Sequence, residues 1–131
     1  MIGSLRPVLL DTTIAVAALR REAAILQQLA SVQTILPVTV LGELYHGAHR
    51  AALTAKEIGN IRTFMANSIV LDTDPVTAEH YGIVKYLLQR QGTPIPENDV
   101  WIAASALQRG LPLATRDGHF RYVPGLVVER W

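Results

Sequence analysis

The sequence contains no cysteine, which excludes disulfides and thiolate-held metals. It has no apolar run long enough for a bilayer. Even Ala15 to Leu19 falls far short of the roughly 20 residues that a spanning helix needs. The N-terminal MIGSLRPVLLD lacks the extended apolar core and cleavage pattern of a secretion signal, so the expected location is the cytoplasm, with no membrane partner. An excess of charge is missing too. Twelve Lys and Arg against eleven Asp and Glu leave a formal net charge of +1, which argues against a protein that coats nucleic acid by bulk electrostatics. Repeats, low-complexity segments and linker-like stretches are also absent, so one domain over residues 1–131 is expected.

What is present is a core. Half of the residues are hydrophobic, which excludes a disordered chain. Ten of the twelve cations are Arg, the better fork for phosphate oxygens, scattered from Arg6 to Arg130 as on a solvated surface. Short apolar runs alternate with helical stretches. Pro7 to Leu10, Thr34 to Leu36, Ser68 to Leu71, Leu111 to Thr115 and Leu126 to Val128 read as buried strands. Between them, Thr12 to Arg20, Glu22 to Ala30, Thr39 to Arg50 and Thr54 to Asn67 have helical composition. Asp74-Pro75 opens a further helix, with Asp in capping position and Pro in the first turn, and Gly92 ends it. The stretch IPENDVWIAASALQRG gives the last helix, closed by Gly110. Alternation of this kind requires crossovers and hence parallel pairing. The expected fold is therefore α/β, a three-layer α/β/α domain with a mostly parallel central sheet flanked by helices.

In such sheets ligands bind beyond the carboxyl ends of the strands. Asp11 stands directly after the first strand and Asp117 just after the Leu111 to Thr115 strand. Glu43 lies on the helix after the second strand, alone in an apolar stretch from Ile35 to Tyr45. Asp99 lies in the first turn of its helix, ahead of Val-Trp-Ile-Ala-Ala. Each has a plain structural explanation: a cap, a solvated helix position, a dipole partner, a turn. Together all four can converge on one rim. Carboxylates crowded there repel, so one has a raised pKa unless a cation neutralises them. All-oxygen clusters suit Mg²⁺ or Mn²⁺, and no Cys or His stands at a matching position. A metal so held activates water against a phosphodiester.

Four segments carry a resemblance: VLLDTT (Val8 to Thr13), LGELYHGA (Leu41 to Ala48), IPENDVWIAASAL (Ile95 to Leu107) and LATRDGHFRYVPGL (Leu113 to Leu126). They resemble the signature blocks of PIN-domain ribonucleases, and their order and spacing are most similar to VapC-type toxins of bacterial type II toxin–antitoxin modules. The resemblance implies that Asp11, Glu43, Asp99 and Asp117 form the catalytic acid site of an endoribonuclease. Asp11 and Asp99 would hold Mg²⁺ or Mn²⁺ directly, and Glu43 and Asp117 would complete the site. Thr13 and Thr115 match hydroxyl-bearing positions able to bond a carboxylate, a water or an RNA phosphate, and Arg116 stands beside them. Some members carry an acid where this chain has His119, which leaves Asp117 alone in the fourth role. The resemblance also implies a homodimer, an RNA substrate and a cognate VapB-type antitoxin whose C-terminal segment wraps over the groove. Two alternatives stand beside it: a PIN-like RNA- or protein-binding module without catalysis, and an RNA-processing PIN nuclease with no antitoxin.

The remaining candidates read as structural. Asp72 follows a strand, and Asp74 serves a helix start. His46 and His49 share a helical spacing but lack a third ligand, and Trp101 reads as core. Apolar residues on the second and fourth helices (Ile25, Leu26, Leu29; Ile58, Ile61, Phe64, Met65) are the expected surface for the dimer and the antitoxin.

Overall fold

The computed structural model describes residues 5–131, so Met1 to Ser4 of the N-terminal stretch lie outside the described residues. Five strands form one sheet: β1 (Arg6–Leu10), β2 (Val32–Pro37), β3 (Ile69–Leu71), β4 (Leu113–Thr115) and β5 (Val128–Arg130). Their order is β3-β2-β1-β4-β5 and every pair is parallel. Six helices flank the sheet: α1 (Thr12–Leu19), α2 (Ala23–Leu29), α3 (Val38–His49), α4 (Thr54–Ala66), α5 (Pro75–Gln91) and α6 (Glu97–Arg109). No helix among the described residues is long and apolar enough to cross a membrane.

β1 occupies the centre because Val8, Leu9 and Leu10 can be buried on both faces at once. The chain walks outward from it twice, to β2 and β3 on one side and to β4 and β5 on the other. The reversal falls between β1 and β4, where Leu9 pairs with Leu113 and Leu10 with Ala114. Brackets of local chemistry hold the helices in register. The Asp74 carboxylate accepts the Thr77 N–H at 3.0 Å while the Thr77 hydroxyl accepts the Asp74 N–H at 3.1 Å, a reciprocal cap on α5. Gly92 and Gly110 take φ of 72° and 63° to close α5 and α6. Trp101, expected in the core, is half-buried outside it and stacks on Tyr81 with ring centroids 4.1 Å apart, which ties α6 to α5.

Several details differ from the sequence expectation: β2 begins at Val32, two residues before Thr34, and β4 begins at Leu113, because the Leu111 N–H still bonds the Ala106 carbonyl at the end of α6. β5 starts two residues later than Leu126, because Leu126 turns inward against the core and pairing with β4 begins at Val128. As outer strands with one neighbour each, β3 and β5 are only partly covered. Of the expected interface residues, Ile25 and Ile61 are 1 % exposed and belong to the core, leaving Leu26, Leu29, Ile58, Phe64 and Met65 half-buried.

The α1–α2 turn is tight. Arg21 N–H bonds the Ala18 carbonyl at 2.9 Å and Glu22 N–H bonds the Ala17 carbonyl at 3.1 Å, the paired bonds of a left-handed helix ending. Arg21 takes φ 58° there, the one non-glycine among the described residues with positive φ. A Cβ in that conformation costs about 1–2 kcal/mol.

Candidate active site

Asp11 leaves β1 at the carboxyl edge of the sheet and caps α1 with its side chain. It is 2 % exposed. Its Oδ2 accepts the Thr13 hydroxyl at 2.7 Å and the Thr115 hydroxyl at 2.7 Å, so both threonines fix the carboxylate's orientation. Among the described residues Oδ1 receives no hydrogen bond, which leaves it free for another partner. Thr115 ends β4 and is 1 % exposed. Its hydroxyl oxygen also accepts the Asp117 N–H at 2.9 Å, and Asp117 Oδ1 accepts the His119 N–H at 2.9 Å. These bonds turn the chain after β4 into a short 3₁₀ segment, Gly118–Tyr122.

Asp99 arrives from the first turn of α6 with its side chain 13 % exposed, and Glu43 arrives from the middle of α3. A cavity of about 400 Å³ lies among Asp11, Glu43, Asp99 and Asp117, with Thr13, Arg20 and Arg116 on its walls. Every expected site residue lines it except Thr115, which sits beneath and acts through Asp11. Arg116 is tied at two points. Its backbone N–H donates to the Thr13 hydroxyl at 3.1 Å, and its guanidinium forks onto Glu22 at 2.9 and 3.2 Å.

Crowding has the expected electrical effect. Burial, with the charges of Asp11, Asp117 and Glu43, pushes the Asp99 carboxyl up to about 7, and His119 opposes the rise. Glu43 Oε1 is buried and has no hydrogen-bond partner among the described residues. A carboxylate oxygen in that position costs free energy unless something positive meets it. His119 Nδ1 stands 2.9 Å from Asp117 Oδ1 and 3.6 Å from Asp99 Oδ2.

Comparison with known proteins decides the family. The PIN domain model matches residues 8–126. Ribonuclease VapC2 of Haemophilus influenzae is 36% identical over 128 residues, covering 94% of this chain and 96% of the relative. The chain belongs to the PIN-domain family, in its VapC branch. A second VapC, the tRNA(fMet)-specific endonuclease of Shigella flexneri, is 31% identical over the same shares of the two chains. Among solved structures, DNA-bound VapBC from Salmonella typhimurium superposes with a TM-score of 0.89 at 28% identity, covering 97% of this chain and 98% of that one. VapBC2 from Rickettsia felis gives 0.90 at 23% identity, covering 95% and 98%, and supports the PIN fold alone.

PIN nucleases are metal-dependent, and the residues of this PIN site fit a cation. The orphaned Glu43 oxygen, the raised Asp99 carboxyl and the free Asp11 Oδ1 each favour positive charge nearby, and all three residues line the same cavity. Donor atoms of Asp99, Asp117 and His119 lie within 4.8 Å of one another. His119 joins these acids because the 3₁₀ segment turns its imidazole back onto Asp117 and Asp99. His46 and His49 are exposed on α3 and belong to no such cluster among the described residues.

Three residues at this site escaped sequence reasoning. Arg20 had a signal, since Thr13, Val16 and Arg20 follow helical spacing and so share one face of α1. His119 stands two residues beyond Asp117, a spacing only the turn makes meaningful. Glu22 had no signal at all, being 94 positions from Arg116.

Proposed function

We propose that residues 1–131 form a single PIN domain acting in the cytoplasm as a Mg²⁺- or Mn²⁺-dependent endoribonuclease, the toxin of a type II toxin–antitoxin pair. The observation that carries this reading is the convergence of four carboxylates, one with an orphaned oxygen, on one cavity at the sheet's switch point. Asp11 and Asp99 would be the direct ligands of the cation, and Glu43 and Asp117 would complete its surroundings. A bound divalent ion would supply Lewis acidity toward the phosphate and lower the pKa of an attacking water.

The chain's own residues do the rest. Thr13 and Thr115 hold Asp11 through Oδ2, so Asp11 would hold the cation through Oδ1. Arg116 offers a guanidinium at the rim to an RNA phosphate, and Thr13 can bond the same strand. His119 brings a nitrogen that can hold a proton at Nδ1 between Asp117 and Asp99.

The antitoxin fits the groove between α2 and α4. Two cavities of about 270 and 780 Å³ share Leu26, Phe64 and Asn67 there, a floor suited to the apolar face of a helix. The relatives solved as VapBC complexes support such a partner. A homodimer instead suits α5, where Val76, Ile83 and Tyr86 share an exposed stripe.

The test is direct. Protein purified free of antitoxin is expected to cut RNA in Mg²⁺ or Mn²⁺ and to stop in EDTA. Initiator tRNA is the first substrate to try, because the relatives from Shigella flexneri and Salmonella typhimurium are named for it. Mapping new 5′ ends after brief expression identifies the target if that transcript is spared. Full cleavage in EDTA overturns the metal mechanism.

A further inference from the structure

Arg116 should not rest where it does. A flexible cation beside Asp11, Glu43, Asp99 and Asp117 would be drawn onto those carboxylates, where it would occupy the place of a metal. Instead its guanidinium makes no ion pair with any of them and forks onto Glu22, Nη2 to Oε1 at 2.9 Å and Nη1 to Oε2 at 3.2 Å. We propose that Glu22 is a positioning residue: it holds the Arg116 guanidinium at the mouth of the acidic cavity, clear of the cation site and ready for an RNA phosphate. This rests on the reading of that cavity as the RNA-cleaving site.

Glu22 is delivered by the strained turn. Arg21, at φ 58°, reverses the chain after α1, and Glu22 follows at the start of α2. The other end of Arg116 is fixed as well. Its backbone N–H bonds the Thr13 hydroxyl, which itself donates to Asp11 Oδ2. Main chain and side chain are thus both referenced to the metal-binding carboxylate, through Thr13 and across the α1–α2 turn. The end-on fork uses one N–H of each terminal nitrogen, so Nε and the outer hydrogens stay available to a phosphate. Holding a long side chain in place before the substrate arrives removes an ordering cost from binding. Arg20, on the same cavity wall and close enough to Glu22 to help keep its carboxyl ionised, is the second cation facing the strand.

The experiment compares wild type, Glu22→Gln, Arg116→Met and the double variant, with Asp72→Asn as a surface control. Affinity for a fluorescent single-stranded RNA oligonucleotide is measured in EDTA, where nothing is cut, and KM and kcat are measured in Mn²⁺. Glu22→Gln should weaken binding and raise KM by about two- to fivefold, the range of an exposed ion pair, with a smaller change in kcat. In the Arg116→Met background the same change should have no effect. Unchanged or tighter RNA binding by Glu22→Gln overturns the proposal, as does an equal loss with Arg116 absent. Glu22→Asp keeps the charge on a shorter reach and should fall between wild type and Glu22→Gln; a result outside that interval also counts against it. Wild-type protein that cuts no RNA defeats the functional reading instead, and the EDTA arm then still decides the Glu22–Arg116 relation.

Discussion

Asp99→Asn separates a functional carboxylate from a helix-start carboxylate. In the metal-free protein, burial and three neighbouring carboxylates raise the Asp99 carboxyl from 3.8 to about 7. Fully expressed, that corresponds to about 4 kcal/mol at about 1.4 kcal/mol per factor of ten. Solvent in the open cavity screens it, and about 2 kcal/mol is the expected net. The folded-state value lies above the unfolded one, so the folded protein binds more protons and loses stability as pH rises through that window. The amide cannot ionise and escapes the loss. Against this stands only the lost first-turn charge, worth a few tenths of a kcal/mol. In EDTA the variant should therefore melt about 8 °C above wild type when the carboxyl is ionised, at about pH 8. The gap should close toward about pH 4, where the wild-type carboxyl is protonated. Mn²⁺ should reverse the order, since an ion at about 100 times its Kd stabilises the wild type by roughly 2.7 kcal/mol. RNA cleavage by the variant should be lost. A variant that melts at or below wild type at the higher pH, a gap that ignores pH, or an active variant would refute the crowded-cluster argument.

Two further outcomes test neighbouring claims. Thr115→Val keeps the shape but removes the buried hydroxyl that serves Asp11 and Asp117, and urea unfolding in EDTA should show a loss of about 1–3 kcal/mol, with slower cleavage; wild-type stability would show that this hydroxyl does not anchor the site. Sedimentation at tens of micromolar should give a dimer burying roughly 1,200–2,000 Å² in total, and Ile83→Lys on the exposed α5 stripe should return it to monomer; an unaffected dimer would move the interface elsewhere.

Much of the fold could be read along the chain because its signals are local. Val8, Leu9 and Leu10 form a continuous apolar run, as a strand covered on both faces must. Asp74 with Pro75, Gly92 and Gly110 mark helix ends by their own backbone chemistry. Asp11, Asp99 and Asp117 could be nominated for the same reason, since each follows a strand or opens a helix at the sheet's carboxyl edge, and Glu43 because it is the lone acid in an apolar stretch. Signals at the margin were weaker. β5 has a single neighbour, so pairing with β4, and not the apolar character of Leu126, decided where it begins.

Relations between distant positions were legible only in three dimensions. Thr115 serves Asp11 across 104 positions, and Arg116 finds Glu22 across 94. His119 enters the acid cluster because two hydrogen bonds after β4 curl the backbone. The Asp99 pKa depends on distances among charges that lie on different elements. Which apolar side chains remain for partners was settled by packing, which drew Ile25 and Ile61 inward and left the α5 stripe in water. Local propensity and capping act over a few residues, so the sequence determined the elements and the residue types at their ends. Charge coupling, side-chain pairing and burial act through space, so only the tertiary structure decided which of those residues meet.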